Sequence, residues 1–198
     1  MPKLYFRYGT MGSSKTANLL MVAHNYEQQG KEIIIIKPSI DTRDGIKNVS
    51  SRTGLHREAD IILDKKTNLL VEVTEITEKK NINCILVDEA QFLTKLNVEE
   101  LRFLTNKIPV ICYGLRTDYL TNTFEGSLRL LELADRIEEI KTTCFYCNDK
   151  AIINAKYCTG INNKSVFIVK KGSSAPEIGC DEMYLSMCWH CWYEHPTS

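Results

Sequence analysis

The sequence predicts an α/β fold, a parallel sheet with helices on both faces, followed by a small cysteine-rich lobe. Three observations lead there. From residue 3 to about residue 142, apolar runs of strand length alternate with segments of helical period, the signature of a parallel sheet built from right-handed crossovers. A glycine-containing stretch, "GTMGSSKT", lies where the first strand gives way to the first helix. After Thr143 the texture becomes turn-rich, with two C-x-x-C pairs. These divide the chain into an expected domain over residues 1–142 and a second over 143–198.

Taken in order, "KLYFRYG" is aromatic-rich and ends in glycine, as a first strand would. "SKTANLLMVAHNYEQQG" follows as a helix, with Ala17, Leu20, Met21 and His24 at helical spacing and Gly30 as its stop. That spacing puts His24 in the packing face. "KEIIIIKP" is a β-branched run suited to a strand buried on both faces. Asp41 to Gly54 is polar and turn-rich, and reads as a long loop. "TNLLVEVTEITEKKN" reads as a helix, "INCILVDEAQF" as a strand ending in two acids, and "NVEELRFLTNK" as a helix with Asn97 as N-cap. "IPVICYGL", "EGSLRLLELAD" and "RIEEIKT" complete the pattern as strand, helix and strand.

Composition narrows the function. The chain has 198 residues, 43% hydrophobic and 25% charged, enough for one good core and a small appendage. Its 25 basic and 25 acidic residues cancel, whereas a protein that grips many phosphates of a nucleic acid carries a basic excess. No nucleic-acid partner is therefore expected. No apolar run approaches the roughly 20 residues that span a bilayer, and Arg7 interrupts the short apolar start where a secretory leader would continue. A cytoplasmic setting without a membrane partner is expected. There the 8 cysteines do not form structural disulfides.

The stretch Gly9, Thr10, Met11, Gly12, Ser13, Ser14, Lys15, Thr16 approaches the phosphate-binding pattern G-x-x-x-x-G-K-[ST], with serine in place of the second glycine. Strand, loop and helix start are the context that pattern needs. Loop N–H groups and the helix N-terminus face phosphate oxygens, Lys15 adds charge at the β/γ-phosphates, and Thr16 can ligate Mg²⁺. Ser14 matters only if its position demands φ > 0 or lacks room for a Cβ. "CILVDE" then delivers Asp88 and Glu89 at the end of a buried strand. An acid there holds Mg²⁺ in phosphate-loop folds, leaving Glu89 to accept a proton. Two classes share this arrangement. An ATPase uses the glutamate to activate water, and a small-molecule kinase uses it to deprotonate a hydroxyl. A nucleic-acid-stimulated ATPase with a zinc ribbon, or a nucleotide-binding regulator without turnover, would share the loop. A kinase must cover its acceptor, and the C-terminal lobe offers a lid.

Cys144, Cys147, Cys188 and Cys191 form two C-x-x-C pairs, which together suit a closed tetrahedral zinc site. Such a site has no open position, so the zinc is structural. Residues 148–187 lie between the pairs, so the metal would pin both ends of a long excursion. Cys84 and Cys112 read as buried strand residues.

In order, "YGTMGSSKT", "DTR", "LVDEAQF", "VICYGLRTD", "FEGS", "CFYC", "IGCDEMYLSMC" and "CWHC" resemble the type II, zinc-containing thymidine kinases over essentially the whole chain. The resemblance implies a phosphate-loop NTPase-type domain and a zinc lobe carrying a long lasso loop. It implies transfer of the γ-phosphoryl group of Mg-ATP to the 5′-hydroxyl of thymidine or deoxyuridine. By position, Glu89 would be the general base, Asp88 and Thr16 would serve Mg²⁺, Lys15 the phosphates, and Arg43 the transferring phosphoryl. The nucleoside pocket would comprise Met11, Phe92, Leu115, Tyr119, Phe124 and Tyr184, with the backbone of residues 166–179 reading the base. A homotetramer and feedback inhibition by dTTP are implied as well. The chain departs from the family at Ser14, at Cys180 where a glycine is usual, and in a longer "KGSSAPEIG".

Overall fold

A computed structural model describes residues 1–41, 45–64, 66–159, 166–172 and 183–197. Its centre is a six-stranded sheet of β1 (Leu4–Tyr8), β2 (Glu32–Pro38), β5 (Ile61–Leu63), β6 (Ile82–Val87), β7 (Val110–Gly114) and β8 (Arg136–Glu139). The spatial order is β5-β2-β6-β7-β1-β8, and every pairing is parallel.

The isoleucine run of β2 explains why helices cover both faces. Ile34 and Ile36 point into one core with Leu69 and Val73 of α2 (Leu69–Thr77), Val98 and Leu101 of α3 (Lys95–Leu104), and Leu130 of α4 (Glu125–Leu133). Ile33 and Ile35 point the other way, onto Leu19, Leu20 and Ala23 of α1 (Lys15–Gln28). Period-two alternation thus feeds two apolar layers from one strand. Each buried isoleucine contributes roughly 2 kcal/mol. Cys84 and Cys112 are fully buried in β6 and β7, as expected.

Four local readings change. The stretch after Asp41 is not all loop: β3 (Asn48–Ser50) and β4 (His56–Glu58) form a hairpin, with Val49 buried against the α1 side of the sheet. Beyond it, Ile61–Leu63 adds the edge strand β5, too short to stand out as a period. The N-cap of α3 is Thr94. Asn97 is the reciprocal partner in a capping box, accepting from the Thr94 N–H at 3.1 Å while its own N–H donates to Thr94 Oγ1 at 3.2 Å. On α1, Met21 and His24 face solvent, and the buried stripe runs through Ala17, Leu19, Leu20 and Ala23 instead.

The C-terminal lobe holds an antiparallel sheet in the order β10-β9-β11, from β9 (Ile153–Thr159), β10 (Val166–Ile168) and β11 (Tyr184–Met187), then the short helix α5 (Trp189–Glu194). Its core gathers Ile153, Ala155, Ile168 and Met187 beside Cys144 and Cys188.

Candidate active site

The loop between β1 and α1, and the chain leaving β2, β6 and β7, meet at the C-terminal edge of the parallel sheet, where α/β folds place their ligands. Gly9 opens the loop where a Cβ would lie 2.4 Å from the Ile140 carbonyl oxygen, so only glycine fits there. The Ser13 N–H donates to the Thr10 carbonyl at 3.2 Å, closing a tight turn. Lys15 is buried, and its ammonium donates to the Thr10 carbonyl at 2.8 Å.

Ser14, where the pattern wants glycine, is left-handed, with φ 63 and ψ 29. The position does demand the conformation that glycine adopts without cost. The Ser14 carbonyl accepts the Asn18 N–H at 2.9 Å, starting α1. Ser14→Gly is therefore expected to stabilise the protein by about 1 kcal/mol. A urea midpoint that does not rise would show that the loop bears no strain there.

Thr16 Oγ1 lies 3.3 Å from both carboxylate oxygens of Asp88. A hydroxyl and a buried carboxylate so placed make an oxygen donor set suited to Mg²⁺. Burial, reinforced by the charge of Glu89 and only partly offset by Lys15, pushes the Asp88 carboxyl up to about 7.

Glu89 is itself left-handed, with φ 47 and ψ 42, at the entrance to a 3-10 turn, Ala90–Phe92. The turn ends the alternation of β6, so Asp88 and Glu89 are aimed by different backbone geometries. Gln91, buried in that turn, donates from Nε2 to Glu89 Oε2 at 2.5 Å and accepts the Leu115 N–H at 2.9 Å. It ties the acid to the segment leaving β7. Gly114 makes room for it, since a Cβ there would lie 2.8 Å from Gln91 Oε1.

Lys37, next to last in β2, is fully buried, paired with Asp41 at 3.2 Å and donating to the carbonyls of Asn48 at 2.6 Å and Gly45 at 3.3 Å. It pins both sides of the segment that carries Arg43. Arg43 itself lies outside the described residues, as do residues 173–179 of the stretch expected to read the base and Cys180.

Phe92 and Phe124 meet edge to face with centroids 5.9 Å apart. Tyr119 is buried beneath Gly172, where a Cβ would lie 2.7 Å from its hydroxyl oxygen, and the Lys156 ammonium sits 5.3 Å above its ring. Lys156 pairs across the lobe's sheet with Tyr184. Met11 and Leu115 are half-buried at the mouths of their loops.

All four sulfur atoms of Cys144, Cys147, Cys188 and Cys191 lie within 4.8 Å of one another, and Cys147 and Cys188 are 3.7 Å apart. Tetrahedral thiolates around zinc stand about 3.8 Å apart, so the cluster fits that ion. Burial raises the Cys144 thiol, yet the backbone N–H groups of Cys188, Tyr146 and Cys147 outweigh it and bring it down to about 7. Burial and the neighbouring thiols push Cys191 up. His190 takes no part, being exposed and paired with Glu194 at 3.1 Å.

Sequence reasoning placed the phosphate loop, the acids and the cysteines but missed Gln91, Lys37, Asn154 and Ser186. The last two hold Met11: its N–H donates to Asn154 Oδ1 at 2.7 Å, and Ser186 Oγ donates to its carbonyl at 2.5 Å. The available signal was a polar side chain within a short apolar strand, which period-two reading assigns to solvent.

No described helix is long and apolar enough to cross a membrane. Among solved structures, the Pif1 helicase from Candida albicans aligns with a TM-score of 0.41 and 13% identity over 70% of this chain and 36% of that one, too loosely to bear on function. A family model for thymidine kinase matches residues 2–192. The thymidine kinase of Streptococcus pyogenes serotype M3 is 43% identical over 190 residues, 95% of each chain. That of Lactiplantibacillus plantarum is 44% identical over 200 residues, 99% of this chain and 98% of its own. That of Streptococcus gordonii is 44% identical over 190 residues, 95% and 94% of the two chains. With near-complete coverage in both directions, and a phosphate loop, paired acids and cysteine cluster in place, the chain belongs to the thymidine kinase family.

Proposed function

We propose that this chain transfers the γ-phosphoryl group of ATP to the 5′-hydroxyl of thymidine, and of deoxyuridine, as a step of nucleotide salvage. The observation that carries this, given the family, is the meeting of Lys15, Thr16, Asp88 and Glu89 at one sheet edge beside an aromatic wall. Glu89 accepts the hydroxyl proton as the new oxygen–phosphorus bond forms and the bond to the β-phosphate oxygen breaks. The loop from Gly9 to Ser14 cradles the phosphates, Lys15 neutralises charge on them, and Arg43 stabilises the transferring group. Thr16 and Asp88 hold Mg²⁺, which when bound neutralises phosphate charge.

The nucleoside lies against Met11, Phe92, Leu115, Tyr119, Phe124 and Tyr184, and the backbone of residues 166–179 reads the base edge. Such a site rejects cytosine, whose amino donor replaces a carbonyl acceptor and leaves buried groups unpaired. Residues 1–142 form the nucleotide-binding unit, and 143–198 a lobe pinned by structural zinc at Cys144, Cys147, Cys188 and Cys191. The enzyme works in the cytoplasm as a homotetramer inhibited by dTTP. One assay tests the reading. Incubation with Mg-ATP and each nucleoside is expected to yield monophosphate from thymidine and deoxyuridine, and little from deoxycytidine. Hydrolysis stimulated by DNA or RNA, with no monophosphate, would replace it with a nucleic-acid-dependent ATPase.

A further inference from the structure

We propose that Asn154 and Ser186 are positioning residues that lock the Met11 peptides of the phosphate loop to the zinc lobe, so that the lobe sets nucleotide affinity as well as covering the acceptor. The two residues are direct partners across the antiparallel pair β9–β11. Their neighbours Ile153, Ala155 and Met187 turn into the lobe's own core. Strand alternation therefore turns Asn154 and Ser186 the other way, toward the phosphate loop.

Both polar groups of Asn154 are spent on other parts of the molecule. Oδ1 accepts the Met11 N–H at 2.7 Å, and Nδ2 donates to the Thr117 carbonyl at 3.1 Å, in the segment that carries Leu115 and Tyr119. Asn154 is only 3% exposed. A buried amide is costly unless bonded, and lobe packing alone would be served as well by an aliphatic side chain. Ser186 completes the grip. Its hydroxyl donates to the Met11 carbonyl at 2.5 Å, and its own carbonyl accepts the Phe145 N–H at 2.8 Å, inside the first cysteine pair.

Met11 is thus held at both peptide groups. Each peptide is planar, with N–H and C=O pointing in opposite directions. Holding the Met11 carbonyl toward Ser186 turns the Gly12 N–H away from the lobe. Holding the Met11 N–H fixes the plane it shares with Thr10, whose carbonyl accepts from Lys15. A continuous path of hydrogen bonds runs from the first cysteine pair through Ser186 to the phosphate loop, and through Asn154 to the nucleoside segment.

This rests on the proposed function only in taking the loop to bind ATP. The test is equilibrium binding of Mg-ATP, with thymidine KM and kcat, on zinc-loaded Asn154→Ala, Ser186→Ala and Ser186→Thr, alongside zinc content and Tm. Each alanine variant is expected to weaken ATP binding about ten-fold, the effect of one lost buried hydrogen bond and its unpaired partner. The double variant is expected to lose less than the product of the two, because both act on one residue. Ser186→Thr keeps the hydroxyl and is expected to stay within about two-fold of wild type. A lower Tm with unchanged ATP affinity would overturn the proposal, leaving lobe packing as the only role. If Asn154→Ala does not fold, Ser186→Ala, which removes one oxygen at a half-buried position, decides alone. Should the wild type bind ATP yet phosphorylate no nucleoside, the functional reading fails while the grip is still judged by ATP affinity.

Discussion

Glu89→Gln is expected to lower kcat about a thousand-fold while ATP affinity stays near wild type. The substitution keeps the size and planarity of the side chain and removes its charge and its capacity to take a proton. The geometry supports so specific a result. Glu89 sits in a left-handed conformation that costs a non-glycine residue about 1–2 kcal/mol, and strain of this kind concentrates where a side chain must be aimed. Gln91 donates to Oε2 at 2.5 Å, so the carboxylate is held in one orientation. Asp88, one residue earlier, already faces Thr16. The two acids thus face different partners, Thr16 for Asp88 and Gln91 for Glu89. Glu89→Gln losing kcat and ATP affinity together would place Glu89 with the cation. Turnover near wild type would remove it from the chemistry.

What was legible in the sequence is what local pattern determines. The isoleucine run of β2 could only be a strand covered on both faces, and Ile33 to Ile36 do feed two cores. "GTMGSSKT" and the two C-x-x-C pairs carry their chemistry in their spacing, and the folded chain brings the sulfurs together from 41 residues apart in the case of Cys147 and Cys188. Asn97 and His24 were misread because a helix end or a helix face is decided by a shift of one to three positions. Gln91, Lys37, Asn154 and Ser186 were invisible for a different reason. Each is polar, each looks ordinary in a short strand or turn, and each acquires its role from a backbone group far along the chain. No periodicity records a contact between residues 11 and 186.

Removing the zinc is expected to melt the C-terminal lobe while the parallel sheet keeps its structure, and to raise thymidine KM at least about ten-fold. The lobe's buried core is Ile153, Ala155, Ile168 and Met187 together with Cys144 and Cys188, so two of its own core residues are in the cysteine cluster. Among the described residues the core is small, and small cores commonly rely on a metal or a disulfide. In structural sites of this kind, metal binding of about 10 kcal/mol is itself folding free energy. Tyr184 lies in the strand that runs directly into Cys188, and Gly172, packed on Tyr119, follows the strand that pairs with β9. Loss of the cluster therefore loosens the segments carrying Tyr184 and Gly172, which the proposed nucleoside site uses. Cys188→Ser, with zinc content and a two-step thermal transition followed together, tests this without a chelator that would also take the magnesium. An unchanged thymidine KM in protein shown to have lost its zinc would mean that the lobe is folded by its own side chains and that the cysteine cluster does not anchor the cover. A rise in KM with a fall in ATP affinity would join the cluster to both halves of the site, as the path from Phe145 through Ser186 to Met11 requires.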